Sequence, residues 1–80
     1  MARSEVEVAT EAVRVIGDLL TRPNEMNRSH IAQQSASSAM AAAQGARIIA
    51  DGTQTRESRE NADIAESLAL TAQKLANLVN

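Results

Sequence analysis

No phenylalanine, tyrosine, tryptophan or cysteine occurs among the 80 residues. Without cysteine, disulfide staples and thiolate zinc sites are excluded. Without aromatics, which bury roughly 150–250 Å² each, the bulkiest core-forming side chains are missing. A chain of this length already buries only about 60% of its unfolded surface. Proline occurs once and glycine three times, so turn signals are few. Charge of one sign is scarce as well. Eight Lys and Arg against ten Asp and Glu give a net charge of −2. That leaves no cationic face to neutralise phosphates and, with no aromatics, no platform for bases to stack on. Nucleic acid is thereby excluded as the main partner. The longest uncharged stretch, Ser29 to Ala46, is rich in Ser and Gln and too polar for the hydrocarbon core, so stable membrane insertion is not expected. The opening residues Met1–Glu5 carry no apolar run, so no Sec-type leader is expected and the expected location is the cytoplasm.

What the chain does have is alanine. Apolar residues make up 44% of it, but sixteen of them are Ala, against sixteen Val, Ile and Leu and three Met. A core built from these is thin for one copy, and other copies are the natural source of further burial. The composition describes a subunit rather than a self-sufficient enzyme.

Three helical segments follow from the periodicity. From Val6 to Leu20 apolar residues fall at 6, 9, 13, 16 and 20 and again at 8, 12, 15 and 19. These are two adjacent stripes of an amphipathic helix, with Ser4 as N-cap and Glu7 three residues on. Gly17, which costs about 1 kcal/mol relative to Ala, calls for a packing reason or marks fraying. Thr21-Arg22-Pro23-Asn24 ends this helix, because proline biases Arg22 away from helical angles. Asn24 or Pro23 then opens the next helix. A short corner here makes a helical hairpin; a gentle kink makes one long rod.

Between Glu25 and Asp51 alanines recur at 32, 36, 39, 43, 46 and 50, in steps of four and three, and Ser29 extends the series upstream. A small-residue seam at heptad spacing lets a neighbouring helix come closer than the usual ~8–10 Å. Asp51-Gly52-Thr53 reads as its C-cap. A third helix starts near Thr55 or Ser58, with Arg56/Glu60 and Arg59/Asp63 spaced for i,i+4 pairs. Its apolar stripe runs through 64, 68, 75 and 78, flanked by Ala65, Ala72 and Val79. The expected architecture is all-α: one assembly domain over 1–80, an antiparallel helical hairpin or three-helix chain with helices over about 5–21, 24–51 and 55–79. It assembles into a polymer through Ala32, Ala36, Ala39, Ala43, Ala46 and Ala50, with Val13, Ile16, Leu20, Ile64, Leu68 and Leu75 as the bulkier contact residues.

Catalytic chemistry is not legible. His30 is the sole imidazole, Ser35, Ser37 and Ser38 have no base at helical spacing, and the three glycines form no phosphate-binding motif. Glu57, Glu60, Asp63 and Glu66 fall at three-residue steps, but the interleaved Arg56 and Arg59 make a solvated charged face the better reading than a divalent-ion site. No enzyme activity, cofactor or metal is expected.

Two stretches carry a family resemblance. Val6 to Asp18, ending in Val15-Ile16-Gly17-Asp18 with Pro23 soon after, resembles the N-terminal segment of the R-body (Reb) proteins, the killing-trait family. Ala32 to Ala46 is similar to that family's Ala/Gln/Ser-rich central helix. The match covers residues 6 to 47. The Tyr and longer Gln run of some members are missing, and Arg56 to Glu66 has no counterpart in the family. The resemblance implies a bacterial structural protein without enzymatic activity. Such proteins polymerise, with themselves or with paralogous subunits, into insoluble cytoplasmic ribbons wound as hollow coils. The coils unroll into tubes, in some cases in response to acid, and are linked to toxicity toward an ingesting host. Glu11, Asp18 and Asp51 are the carboxylates from which such an acid response is expected. Two other readings stay open: a secretion-needle or inner-rod type filament subunit, and a small helical adaptor or regulatory oligomer that binds one partner helix.

Overall fold

The computed structural model describes residues 4–22, 24 and 26–79. Three helices follow one another: α1 (Glu5–Leu20), α2 (Arg28–Thr53) and α3 (Arg56–Leu78). Each packs against both others, and neighbours in sequence run antiparallel. Gly45 of α2 lies beside Glu5 at the start of α1, while Ser35 and Ser38 lie beside Val8 to Val15. On the other flank Arg47 meets Asp63 and Glu66, and Gln33 meets Gln73. The result is an up-down-up bundle of 45 × 25 × 15 Å, which makes the chain a three-helix bundle rather than a kinked rod.

The helix ends show which local signals acted. The Ser4 hydroxyl accepts from the Glu7 amide at 3.1 Å, and that of Thr55 accepts from the Ser58 amide at 3.1 Å. Both caps leave one fewer orphan donor at a helix start. α2 departs from the expected bounds. It begins at Arg28 rather than near Asn24, because Asn27 adopts the left-handed conformation (φ 60°) and turns the chain there. Asn is among the few residues that tolerate this region. At the other end Gly52 remains helical, and the reversal falls on Gln54 (φ 54°), whose amide closes on the Ala50 carbonyl at 2.8 Å. Pro23 and Glu25, read above as part of the corner, lie outside the described residues, as do residues 1–3. Arg28 Nη2 donates to the Leu19 carbonyl at 3.2 Å and so ties the start of α2 to the end of α1. Gly17 has no neighbour within 4 Å of an added Cβ, so nothing in the packing calls for glycine there.

The core inverts the usual distribution of side-chain sizes. Fourteen alanines are buried, together with Ile16, Leu19 and Val79. Each helix contributes a seam in steps of three and four: 9, 12, 16 and 19 on α1; 32, 36, 39, 43, 46 and 50 on α2; 62, 65, 69, 72 and 76 on α3. Steps of this kind keep one stripe facing a partner helix. When the stripe is alanine, backbones can approach closely, and the larger aliphatics are left at the flanks. Val6, Val13, Val15, Leu20, Ile31, Leu68 and Leu75 cover the seams from the side while staying half-exposed.

Candidate assembly surface

The residues singled out as contacts between copies occupy two kinds of place. Ala32, Ala36, Ala39, Ala43, Ala46 and Ala50 are no more than 5% exposed. They are packed against the chain's own helices, and only Ala43 reaches an open surface, as part of the floor of a groove between α2 and α3. Ile16 is fully buried beside them. Val13, Leu20, Leu68 and Leu75 are half-buried flanks of the same core, and Ile64 is exposed. The alanine seam of α3 carries the same spacing as that of α2.

Large apolar side chains collect outside. Ile48 is 72% exposed and Leu70 59%, and with Met40 they border an open groove between α2 and α3, on the side of that pair away from α1. Alanines 43 and 69 are part of its lining, and its volume is about 660 Å³. Two polar bridges delimit this face. At one end Arg47 Nη2 donates to Asp63 at 2.8 Å, and its guanidinium forks onto both oxygens of Glu66, with Nε at 3.2 Å. At the other end Gln73 Nε2 donates to Gln33 at 3.4 Å and to Asn77 at 3.1 Å. An apolar strip rimmed by polar groups is the common layout of a contact surface.

The Arg47 fork is also the main electrostatic link between helices. Glu11–Arg14 and Arg56–Glu60 each lie within one helix, and Asp18–Arg22 joins the last turn of α1 to the corner just beyond it. The expected Arg59/Asp63 partnership gives way to Arg47, which reaches Asp63 from the neighbouring helix. The hydrogen bonds from Arg47 hold the Glu66 carboxyl below its ordinary value, against desolvation and the nearby Asp63 charge, which push it up. The same bonds, from Glu66 first and Asp63 second, raise the Arg47 guanidinium above its already high value. Carboxylates that bridge helices are therefore Asp63 and Glu66. Of the three expected to answer acid, Glu11 pairs within α1, Asp18 pairs with Arg22 just beyond it, and Asp51 is exposed on α2.

A group with a depressed folded pKa stabilises fully above its unfolded value and loses that contribution as pH falls through the folded one. For Glu66 the unfolded value is near 4.5. Thermal melts should thus be level from neutrality to about pH 5.5 and decline below about pH 4.5. Arg47→Gln should make that decline shallower. An identical acid slope in the variant would show that the fork is not its source.

His30 is exposed on a shallow surface with Gln33, Gln34, Ser37 and Ser38. Among the described residues no three His, Asp or Glu side chains come together as a metal-binding group, and no helix is long and apolar enough to cross a membrane. Of the acidic run on α3, Glu60 pairs with Arg56 while Asp63 and Glu66 pair with Arg47. Comparison with known proteins finds no matching family, no matching curated protein and no matching solved structure.

Proposed function

We propose that this chain is a structural subunit that acts by self-assembly through helix packing, building a polymeric ribbon of the R-body kind. The observation that carries the reading is the inverted core. Alanine fills the interior while thirteen of the sixteen Val, Ile and Leu side chains are left exposed or half-exposed. The accessible surface is 5265 Å². A typical monomer of 8.5 kDa exposes roughly 4,700 Å² by size scaling. Met40, Ala43, Ile48, Ala69 and Leu70 line the groove between α2 and α3, where burial of apolar surface in a second molecule is worth about 25 cal/mol per Å². The likeness of Val6–Asp18 and Ala32–Ala46 to R-body proteins gives the assembly its expected form. A contact that does not close on itself propagates as a filament or sheet.

Negative-stain electron microscopy of the purified chain tests this directly. Flat ribbons or coiled sheets are the expected outcome. Tubes of fixed diameter would favour a needle-type filament, and particles of one discrete size over a concentration series would favour an adaptor. Either result overturns the ribbon.

A further inference from the structure

We infer that the open face of the α2–α3 pair is covered by the same face of a second copy, laid over it with its helices antiparallel, so that α2 crosses α2 and α3 crosses α3. The inference rests on the self-assembly reading and names its first interface. Two features of the face select this occupant. It carries both protrusions and a depression: Met40, Ile48 and Leu70 stand beside a groove also lined by Ala43 and Ala69. A patch that supplies knobs and the hollow to receive them is self-complementary, which a two-fold contact requires.

The polar rims then fix the direction. Gln33 and Arg47 lie fourteen positions apart on α2, a span of about 21 Å along a helix. One end holds Arg47 with two carboxylates, a net negative group; the other holds the neutral amides of Gln33, Gln73 and Asn77. A parallel arrangement would set the negative ends over one another. The antiparallel one sets amide donors over the side chains of Asp63, 72% exposed, and Glu66, 43% exposed. Those oxygens have acceptor capacity left and make stronger hydrogen bonds than neutral acceptors do. Met40 and Leu70, midway between the rims, then sit close to the two-fold axis.

Sedimentation equilibrium of the full chain at neutral pH, with melts by circular dichroism alongside, tests the interface. Leu70→Lys should weaken dimer formation at least tenfold and leave the melt of the monomer within a few degrees of the parent. Leu78→Lys, on an exposed position outside the groove, should leave association unchanged. The natural chain has no cysteine, so Met40→Cys provides a single thiol near the axis and should form a disulfide-linked dimer on mild oxidation much faster than Ile49→Cys. Association unaffected by Leu70→Lys, or equal cross-linking at positions 40 and 49, overturns the interface. The two proposals fail separately. Ribbons that tolerate Leu70→Lys leave self-assembly standing without this contact. A Leu70-dependent dimer that never grows larger leaves the contact standing without the polymer.

Discussion

Ala39→Leu is expected to lower the melting temperature of the single chain by roughly 10 °C, with the helical signal otherwise of native form. Ala39 is completely buried in the α2 seam, where helices approach closely because the facing side chains are methyl groups. Three added carbons have no cavity to enter. The leucine must leave its preferred rotamers or push the helices apart, at a cost of about 1–3 kcal/mol. A bundle of this size has only about 4–12 kcal/mol of stability in total, so the loss is a large fraction. Ala41→Leu is the matched control. It changes the same residue on the same helix at an exposed position, and leucine is nearly as good a helix former as alanine. Its melt should stay close to that of the parent. If Ala39 instead formed a contact between copies, as its heptad spacing alone suggests, leucine here would wedge neighbouring copies apart. The two outcomes separate cleanly: a variant that melts like the parent but no longer associates would place the alanine seam between chains rather than within one.

Much of the fold could be read from periodicity, and the parts that could not share a cause. Three helices, the Ser4 cap, the start of α3 near Thr55 and the Arg56–Glu60 pair all rest on interactions within a few residues of one another, and all appear as expected. The stripe expected on α3, Ile64, Leu68, Leu75 and Leu78 flanked by Ala65, Ala72 and Val79, has its weights reversed: Ala62, Ala65, Ala69, Ala72, Ala76 and Val79 are buried, Leu68 and Leu75 are half-buried, and Ile64 and Leu78 are exposed. Size normally marks the core because larger side chains remove more apolar area from water. That rule fails where a close helix approach replaces side-chain bulk. The signal was present all the same, since α3 repeats the three-four alanine spacing of α2. The start of α2 was misplaced for a different reason. Which residue of a corner adopts left-handed angles depends on where the flanking helices must dock, and Asn24 and Asn27 are equally suited to it locally. The groove bordered by Ile48 and Leu70, and the fork from Arg47 to Asp63 and Glu66, join positions sixteen or more residues apart. Only the antiparallel register of α2 and α3 brings them together, and composition does not encode that register.

Ile16→Ala should be the most damaging single truncation in the chain, lowering stability by about 2–4 kcal/mol and the melting temperature by roughly 10–20 °C. Among the described residues Ile16 is the only large side chain that is fully buried. It sits among alanine seams whose methyl groups are too short to swing into the space that truncation leaves. The cost of such a change is the lost transfer free energy of the deleted carbons plus a cavity term that grows when the surroundings cannot collapse. Ile16 belongs to a core made mostly of alanines, whose single methyl groups leave few side chains able to refill the space. Ile16→Val, which removes one methyl group, should cost about 0.5–1.5 kcal/mol. Ile48→Ala, at a position 72% exposed, should leave monomer stability within about 0.5 kcal/mol of the parent. Urea unfolding of the three variants under conditions that keep them monomeric gives the measurement. The midpoint should shift in the order Ile48→Ala, Ile16→Val, Ile16→Ala with the slope unchanged. A slope that drops for Ile16→Ala would mean that the alanine seams loosen without this side chain. Equal midpoints for Ile16→Ala and Ile48→Ala would remove Ile16 from the core altogether, and with it the account of how so little bulk holds three helices together.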